Sequence, residues 1–530
     1  MDFLSNTLYV VAATSLVVLV LYVYNQQQHG KKQHPIAGTL FNQLLNFHRL
    51  HDYMTDLATK YKTYRLITPF RNEVYTSDPA NVEYILKTNF ENYIKGTYHH
   101  DILKDLMGDG IFTVDGDKWR EQRKISSYEF STKVLRDFSS VIFRKNAVKL
   151  AHILSESADN NQSRDINVRL FQSTTFDHTP SYIYIYIIFF SYIYIQDLFM
   201  KTTLDSILKI AFGTDLDSMC GSSEEVVRFS NAFDGASALT LRRYVDITWK
   251  IKRLFNIGSE AKLKQNVKVV DEFVYKLIQT KTQQMHNRQH YFLLKKEDIL
   301  SRFLQVNNTD SKYLRDIILN FIIAGKDSTS TAMTWFIYML CKHPDIQNNV
   351  AVEIRKATNM RNDAMNVEEF ANNVSEEALE KMQYLHATLT ETLRLFPVVP
   401  VDAKMCFADD VLPDGYGVKK GDMVAYQPYA MGRMKFIWGD DAHEFKPERW
   451  LDQYGHFQPN SPFKFTAFQA GQRICLGREF AYRQMKIFSS ILLGCFMFKL
   501  SDESKTAKYK TMLNLHIDGG LDIHVFNRFR

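Results

Sequence analysis

One stretch constrains this chain more than any other: Phe468-Gln-Ala-Gly471-Gln-Arg473-Ile-Cys475-Leu-Gly477. A cysteine lies between two glycines, with an arginine two residues before it and a phenylalanine seven before it. Glycine tolerates positive φ and close backbone approach, so the segment suits a tight wrap beneath a flat ligand. From Arg478 the apolar residues Phe480, Met485, Ile487, Phe488, Ile491 and Leu492 recur with helical spacing, which sets Cys475 just before a helix N-terminus. Unpaired N–H groups and the helix dipole there favour a thiolate over a thiol. A lone cysteine is more often buried and inert. What weighs against that here is the set of stretches that accompanies it.

A second set lies in the long apolar pattern from Asp316 to Leu340, which Ala324-Gly325-Lys326-Asp327-Ser328-Thr329 interrupts. A mid-helix glycine costs about 1 kcal/mol against alanine and so asks for a reason. Ala324 with Gly325 leaves a groove free of bulky side chains, and an acid beside a hydroxyl can relay protons through water. A kink carrying solvated polar residues would account for Ala-Gly alone. Trp119 and Arg123 stand four apart after the Asp115-Gly116-Asp117 turn and share a helix face. Glu391-Thr-Leu-Arg394 puts a carboxylate and a guanidinium on one turn, a common pairing, and Pro447-Glu-Arg449-Trp450 follows.

Taken together, and in this order along the chain, these stretches resemble the cytochrome P-450 monooxygenases. The resemblance implies a mainly α fold with a small β region, one haem domain over residues 31–530, and Cys475 as axial ligand of a haem b iron. A thiolate ligand pushes electron density onto the iron and favours O–O cleavage. It implies that Trp119, Arg123 and Arg473 meet the haem propionates, with Phe468, Gly471 and Gly477 shaping the loop beneath it. Ala324, Gly325, Asp327, Ser328 and Thr329 would serve oxygen binding and proton delivery, while Glu391, Arg394 and Arg449 form a buried charge network. One departure stands out: Ser328 occupies the place where the family usually has threonine. Serine keeps the hydroxyl and loses the methyl that restricts its rotamer, so looser coupling of electrons to product is expected. Electrons would come from NADPH through a separate reductase docking near the Cys475 loop, with Arg478, Arg483 and Lys486 as candidate contacts or simply a solvated helix face.

The 530 residues hold no Gly/Ser-rich or Pro-rich linker, which agrees with one large domain. The net charge of +6 comes without a dense Lys/Arg block, so nucleic acid is not an expected partner. Five cysteines, odd in number and widely spaced, give neither a disulfide framework nor a zinc pattern and point to a reducing compartment. Leu8 to Tyr24 is apolar except for Thr14 and Ser15, and Phe3 with Leu4 brings it close to a bilayer span. Residues 1–30 read as a signal anchor and its linker, with Lys31 and Lys32 on the cytosolic side, for single-pass residence in the endoplasmic-reticulum membrane.

Val168 to Gln196 is anomalous. Tyr182-Ile-Tyr-Ile-Tyr-Ile-Ile-Phe-Phe-Ser-Tyr-Ile-Tyr-Ile195 is β-branched and aromatic on both faces, between helical stretches on either side. A TA dinucleotide repeat translates as Tyr-Ile, valine codons begin with GT and a glutamine codon can end in AG. An intron retained in frame explains the stretch; a membrane-contacting or dimerising hairpin is the alternative.

His34-Pro-Ile-Ala-Gly38, Asn42-Gln-Leu-Leu-Asn46, Leu395 to Lys404 and Gly432-Arg-Met434 look like the plant fatty-acid ω-hydroxylase group, which implies terminal hydroxylation of long-chain fatty acids. By the same resemblance, regions 99–114 and 213–260 and Phe321 are expected to line the cavity. Two alternatives stay open: a haem-thiolate isomerase or lyase of fatty-acid hydroperoxides, against which the Asp327–Ser328 pair argues, and an inactive splice product.

Overall fold

The computed structural model describes residues 36–68, 72–131, 133–163, 193–219, 224–287, 300, 310–360 and 366–528. Long helices dominate, as the 3.6-residue apolar spacing predicts. Those that build the site are α1 (Gly96–Met107), α2 (Gly116–Ser131), α3 (Lys133–Ser163), α4 (Ile195–Phe212), α5 (Glu224–Arg242), α6 (Gly258–Asn287), α7 (Ser311–Ile322), α8 (Ser328–Lys342), α9 (Gln383–Leu395) and α10 (Arg478–Cys495). A mixed six-stranded sheet flanks them: β1 (Ile36–Thr39), β2 (Thr63–Ile67), β3 (Asn72–Thr76), β4 (Tyr93–Ile94), β5 (Asp402–Cys406) and β6 (Met423–Tyr426). Its spatial order is β1-β2-β3-β6-β5-β4, with β3 parallel to β6 and β5 antiparallel to both β6 and β4.

The core forms where these helices cross. Phe143 of α3 meets Phe480 and Phe488 of α10 edge-on at 5.0 and 6.3 Å, which fixes α10 and with it the loop that precedes it. Phe229 of α5 stacks on Phe273 of α6 at 4.2 Å. Trp335 of α8 is fully buried, lies flat on Phe396 at 4.0 Å and donates its ring N–H to the Leu515 carbonyl.

The predicted interruption of the long apolar helix takes a definite form. Between α7 and α8, residues Ile323–Asp327 form a π-turn. Hydroxyls secure it: Thr203 Oγ1 on α4 and Ser330 Oγ both donate to the Lys326 carbonyl at 2.9 Å. Such turns occur often at functional sites because they re-aim a helix without ending it.

The stretch in which a membrane span is expected, residues 1–30, lies outside the described residues. Among those described, no helix is long and apolar enough to cross a membrane. Residues 168–192 of the anomalous stretch also lie outside. Its last residues are part of the fold: Ile193–Tyr194 pair antiparallel with Asp522–Ile523, and fully buried Ile195 starts α4. The expected edge at Gln196 lies within α4, whose first residue, Ile195, belongs to the buried core.

Candidate active site

A cavity of about 510 Å³ opens between the Cys475 loop and the π-turn. Its walls include Phe468, Cys475 and Gly477 on one side, Ala324, Gly325, Asp327, Ser328 and Thr329 on another, and Trp119, Arg123 and Arg473 at an edge. Regions distant in sequence thus meet around one space.

The loop is built by backbone geometry. Gly471 has φ +63°, and a Cβ there would lie 2.0 Å from the Leu86 carbonyl oxygen, so only glycine fits. Gln469 also takes positive φ, +57°. The Cys475 N–H donates to the Phe468 carbonyl at 2.8 Å, closing the loop beneath the cavity. Gly477 differs from expectation: its φ of −86° is open to any residue, and it serves as N-cap of α10.

Cys475 is exposed onto the cavity. Burial raises the Cys475 thiol, while the Gly477 N–H and the charges of Arg123 and Arg478 act the other way, toward the thiolate. With Gly477 as N-cap, Cys475 stands outside the first turn, where the dipole has already weakened. Coordination to a metal would deprotonate such a thiol outright.

Arg473 is 9 % exposed. Its Nη2 donates to Asp115 Oδ1 at 2.7 Å and to the Val114 carbonyl at 3.2 Å, and its guanidinium lies over Trp119 at 4.4 Å. Its Nε has no hydrogen-bond partner among the described residues. Arg123 donates to the Ile474 carbonyl and so ties α2 to the cysteine loop. An arginine with a spare buried donor, a second arginine and a flat indole at the cavity edge, with a thiol on the adjacent wall, fit a haem with anionic propionates. Asp115 was legible only as part of a turn. It also accepts the N–H groups of Lys95 and Gly96 at 2.9 and 2.8 Å, and no spacing rule marks it in the sequence.

On the opposite wall the expected roles are partly redistributed. A Cβ on Gly325 would lie 2.6 Å from Ile207 Cγ1, so this glycine is required by α4 as much as by the open groove. Ala324 is the exposed face of the groove. Ser328 Oγ donates to the Ala324 carbonyl, and Asp327 Oδ1 accepts from Lys326 Nζ at 2.8 Å. The acid and hydroxyl line one cavity, but each is bonded elsewhere. Lys326, fully buried, also reaches Asp234 Oδ1 of α5 at 2.9 Å, and these two carboxylates hold its amine above the usual lysine range against the opposing effect of burial. Burial raises the Asp234 carboxyl, with Lys326 opposing.

Glu391 and Arg394 of α9 face each other in two bonds of 2.7 Å, both fully or almost fully buried. Glu391 also accepts from Trp450 Nε1 and the Lys446 N–H at 2.9 Å each, with Arg449 Nε at 3.5 Å. Arg449 is closer to Asp441, at 2.9 Å, a partner the sequence did not single out. Arg449 and then Lys446 hold the Asp441 carboxyl down, to about 2.

The cavity wall includes Leu103, Phe112, Phe233 and Phe321, in the regions expected, and also Phe47, His51 and Met54 near the N-terminal side and Met512–Asn514 near the C-terminus. Two candidate reductase contacts are corrected. Arg483 pairs with Glu376, and Lys486 donates to the Leu379 carbonyl at 2.8 Å, because this face of α10 packs on the helix Glu376–Lys381. Arg478 is exposed and lies 3.3 Å from Glu479.

Comparison with known proteins agrees with this geometry. The family model described as Cytochrome P450 matches residues 29–181 and 189–520, leaving out part of the anomalous stretch. Cytochrome P450 704C1 of Pinus taeda is 46% identical over 100% of this chain and 99% of its own length. Cytochrome P450 704B1 of Arabidopsis thaliana is 40% identical (95% and 96%), and cytochrome P450 94A1 of Vicia sativa 34% (94% and 90%). A thiol below the cavity, an acid and hydroxyls on the facing wall, and a match along nearly the whole chain lead to one conclusion: the protein belongs to the cytochrome P450 family, as a haem-dependent monooxygenase that uses O2 and electrons from a redox partner.

Proposed function

We propose that this monooxygenase ω-hydroxylates long-chain fatty acids, with haem b as its cofactor and NADPH–cytochrome P450 reductase as its electron donor. The observation that carries the reading is the cavity itself, whose walls away from Cys475 are mostly apolar, with Leu103, Phe112, Phe233, Leu241 and Phe321 among them. Such walls suit an alkyl chain held by burial rather than by directed bonds. The sequence segments similar to the plant ω-hydroxylase group support the same substrate class. The acid and hydroxyls facing the cavity favour a monooxygenase over a hydroperoxide isomerase, which needs no proton delivery to oxygen.

The enzyme is proposed to sit in the endoplasmic-reticulum membrane through Leu8–Tyr24, with its catalytic domain cytosolic. Val168–Gln196 is proposed to derive from a retained intron, so a chain lacking it keeps its haem; an intact haem spectrum only with it present supports the hairpin instead.

The test is turnover of saturated and unsaturated long-chain fatty acids by membranes containing the chain, the reductase and NADPH, with products identified by mass spectrometry. Terminal hydroxy acids are expected. Turnover only of fatty-acid hydroperoxides, without NADPH, would overturn the reading.

A further inference from the structure

One wall of the cavity is supplied by residues 43–54 and β3, which carry no part of the cysteine loop or the π-turn. Gln43, His51, Glu73 and Tyr75 line it, all of them buried. The Gln43 side-chain amide donates to the Tyr75 hydroxyl at 3.1 Å, and that hydroxyl donates to Glu73 Oε2 at 2.9 Å. Three of the four polar groups are thus bonded to one another. His51 is the exception. It is 5 % exposed, and both of its ring nitrogens are buried without a hydrogen-bond partner among the described residues.

The nearest hydroxyls are already committed. The His51 ring lies against those of Tyr429 and Tyr509, with centroids 5.7 and 5.2 Å away. Both tyrosines donate to Asp52, at 2.8 and 3.1 Å, and the Tyr509 hydroxyl also accepts the His51 backbone N–H at 3.0 Å. Arg433 lies over the far neighbour, Tyr429, at 3.7 Å. Burial, with the Arg433 charge adding to it, holds the imidazole down to about 3, so the ring is neutral and carries one N–H donor and one bare acceptor nitrogen. Burying both unbonded costs desolvation energy that an apolar ring of similar shape would not incur. Folds keep such a local cost where function requires it, and this ring borders a cavity whose walls away from Cys475 are mostly apolar.

We propose that His51 hydrogen-bonds the carboxyl head of the substrate and so fixes which end of the alkyl chain is presented to Cys475; the inference rests on the fatty-acid reading above. An alkyl chain held by burial alone can slide and reverse, because apolar contact has no direction. A polar group placed at one end removes that freedom and sets the orientation. The neutral imidazole suits a carboxyl in two ways: its N–H donates to the carbonyl oxygen, or its bare nitrogen accepts the acid O–H. The carboxyl groups of Asp52 and Glu73 stand on the same side, so the head is favoured in its protonated, uncharged form, which needs no cation beside it.

The experiment compares the haem-loaded full chain with its His51→Phe variant, which keeps a flat ring against the two tyrosines and removes both nitrogens. Binding of hexadecanoic acid and of hexadecane is titrated in detergent solution by haem absorbance, and the products of acid turnover with reductase and NADPH are separated by position. The variant should bind the acid about tenfold more weakly, the loss of one hydrogen bond to a buried group, and the hydrocarbon within about twofold of the unsubstituted chain. Its products should spread from the terminal carbon to its neighbours, and its ligand-free Tm should not fall, because the nitrogens hold nothing in the fold. Should the larger ring give no haem protein, His51→Leu replaces it in the same comparison. Acid and hydrocarbon weakened alike, or neither weakened, overturns the proposal. An unsubstituted chain that neither binds nor hydroxylates the acid overturns the fatty-acid reading and this inference with it; terminal hydroxylation that is unchanged in the variant overturns this inference alone.

Discussion

Replacing Glu391 by alanine tests the interior frame most severely. The carboxylate accepts two bonds from Arg394, one from Trp450 Nε1 and one from the Lys446 N–H. Its loss leaves the Arg394 guanidinium, 2 % exposed, without its counter-ion. Breaking a buried ion pair on one side costs about 3–5 kcal/mol. Arg394 keeps the carbonyls of Gly432, Ala442 and Glu444, which places the expected cost at the lower end, about 3 kcal/mol. For a chain of this length the unfolding entropy is on the order of 1 kcal/mol per kelvin, so Tm should fall by about 3 °C. That is a substantial part of the roughly 5–15 kcal/mol that holds a native fold together, and haem retention should fall with it. The matched control is Glu83→Ala, which breaks the exposed Glu83–Lys87 pair and should change stability by less than about 0.5 kcal/mol. Thermal melts followed by haem absorbance, with haem per chain from the reduced CO spectrum, measure both. Parental Tm and haem content in Glu391→Ala would refute the reasoning.

Gly325→Ala should cost about 1–3 kcal/mol through overpacking against Ile207, and Ile207→Ala in the same chain should recover part of it; additive losses in a denaturant cycle would show that the two do not touch. Gly471→Ala places a Cβ on a backbone carbonyl at positive φ, so haem content should collapse while far-ultraviolet circular dichroism stays helical; normal haem content would count against the loop geometry. Lys326→Met removes the cation that buried Asp327 and partly exposed Asp234 share. Their folded-state affinity for protons then rises above that of the unfolded chain, so stability relative to the parent should fall as pH climbs above about 4, the ordinary carboxylate value. A Tm gap independent of pH would contradict this.

The haem loop, the interrupted helix and the Glu391–Arg394 turn were legible because each compresses its chemistry into a few adjacent residues. Helix positions followed from periodicity, as with α10 after Arg478. What the sequence concealed depends on distant strands and loops meeting. Asp115 reaches Arg473 across 358 positions, and Asp441 takes Arg449 from a loop no motif marks. Gly325 has a second requirement that the sequence conceals, because its packing partner Ile207 sits on another helix. Arg483 and Lys486 looked like a docking face because charge alone does not reveal that Glu376 and the Leu379 carbonyl already hold them.

Cys475 is proposed to ligate the haem iron through its sulfur. The most direct measurement is the CO-difference spectrum of reduced membranes containing the full chain, beside the same membranes with Cys475→Ser. A strongly red-shifted Soret band from the full chain, absent from Cys475→Ser, is the predicted result. The same band persisting in Cys475→Ser, or absent from a folded full chain supplied with haem, would contradict it.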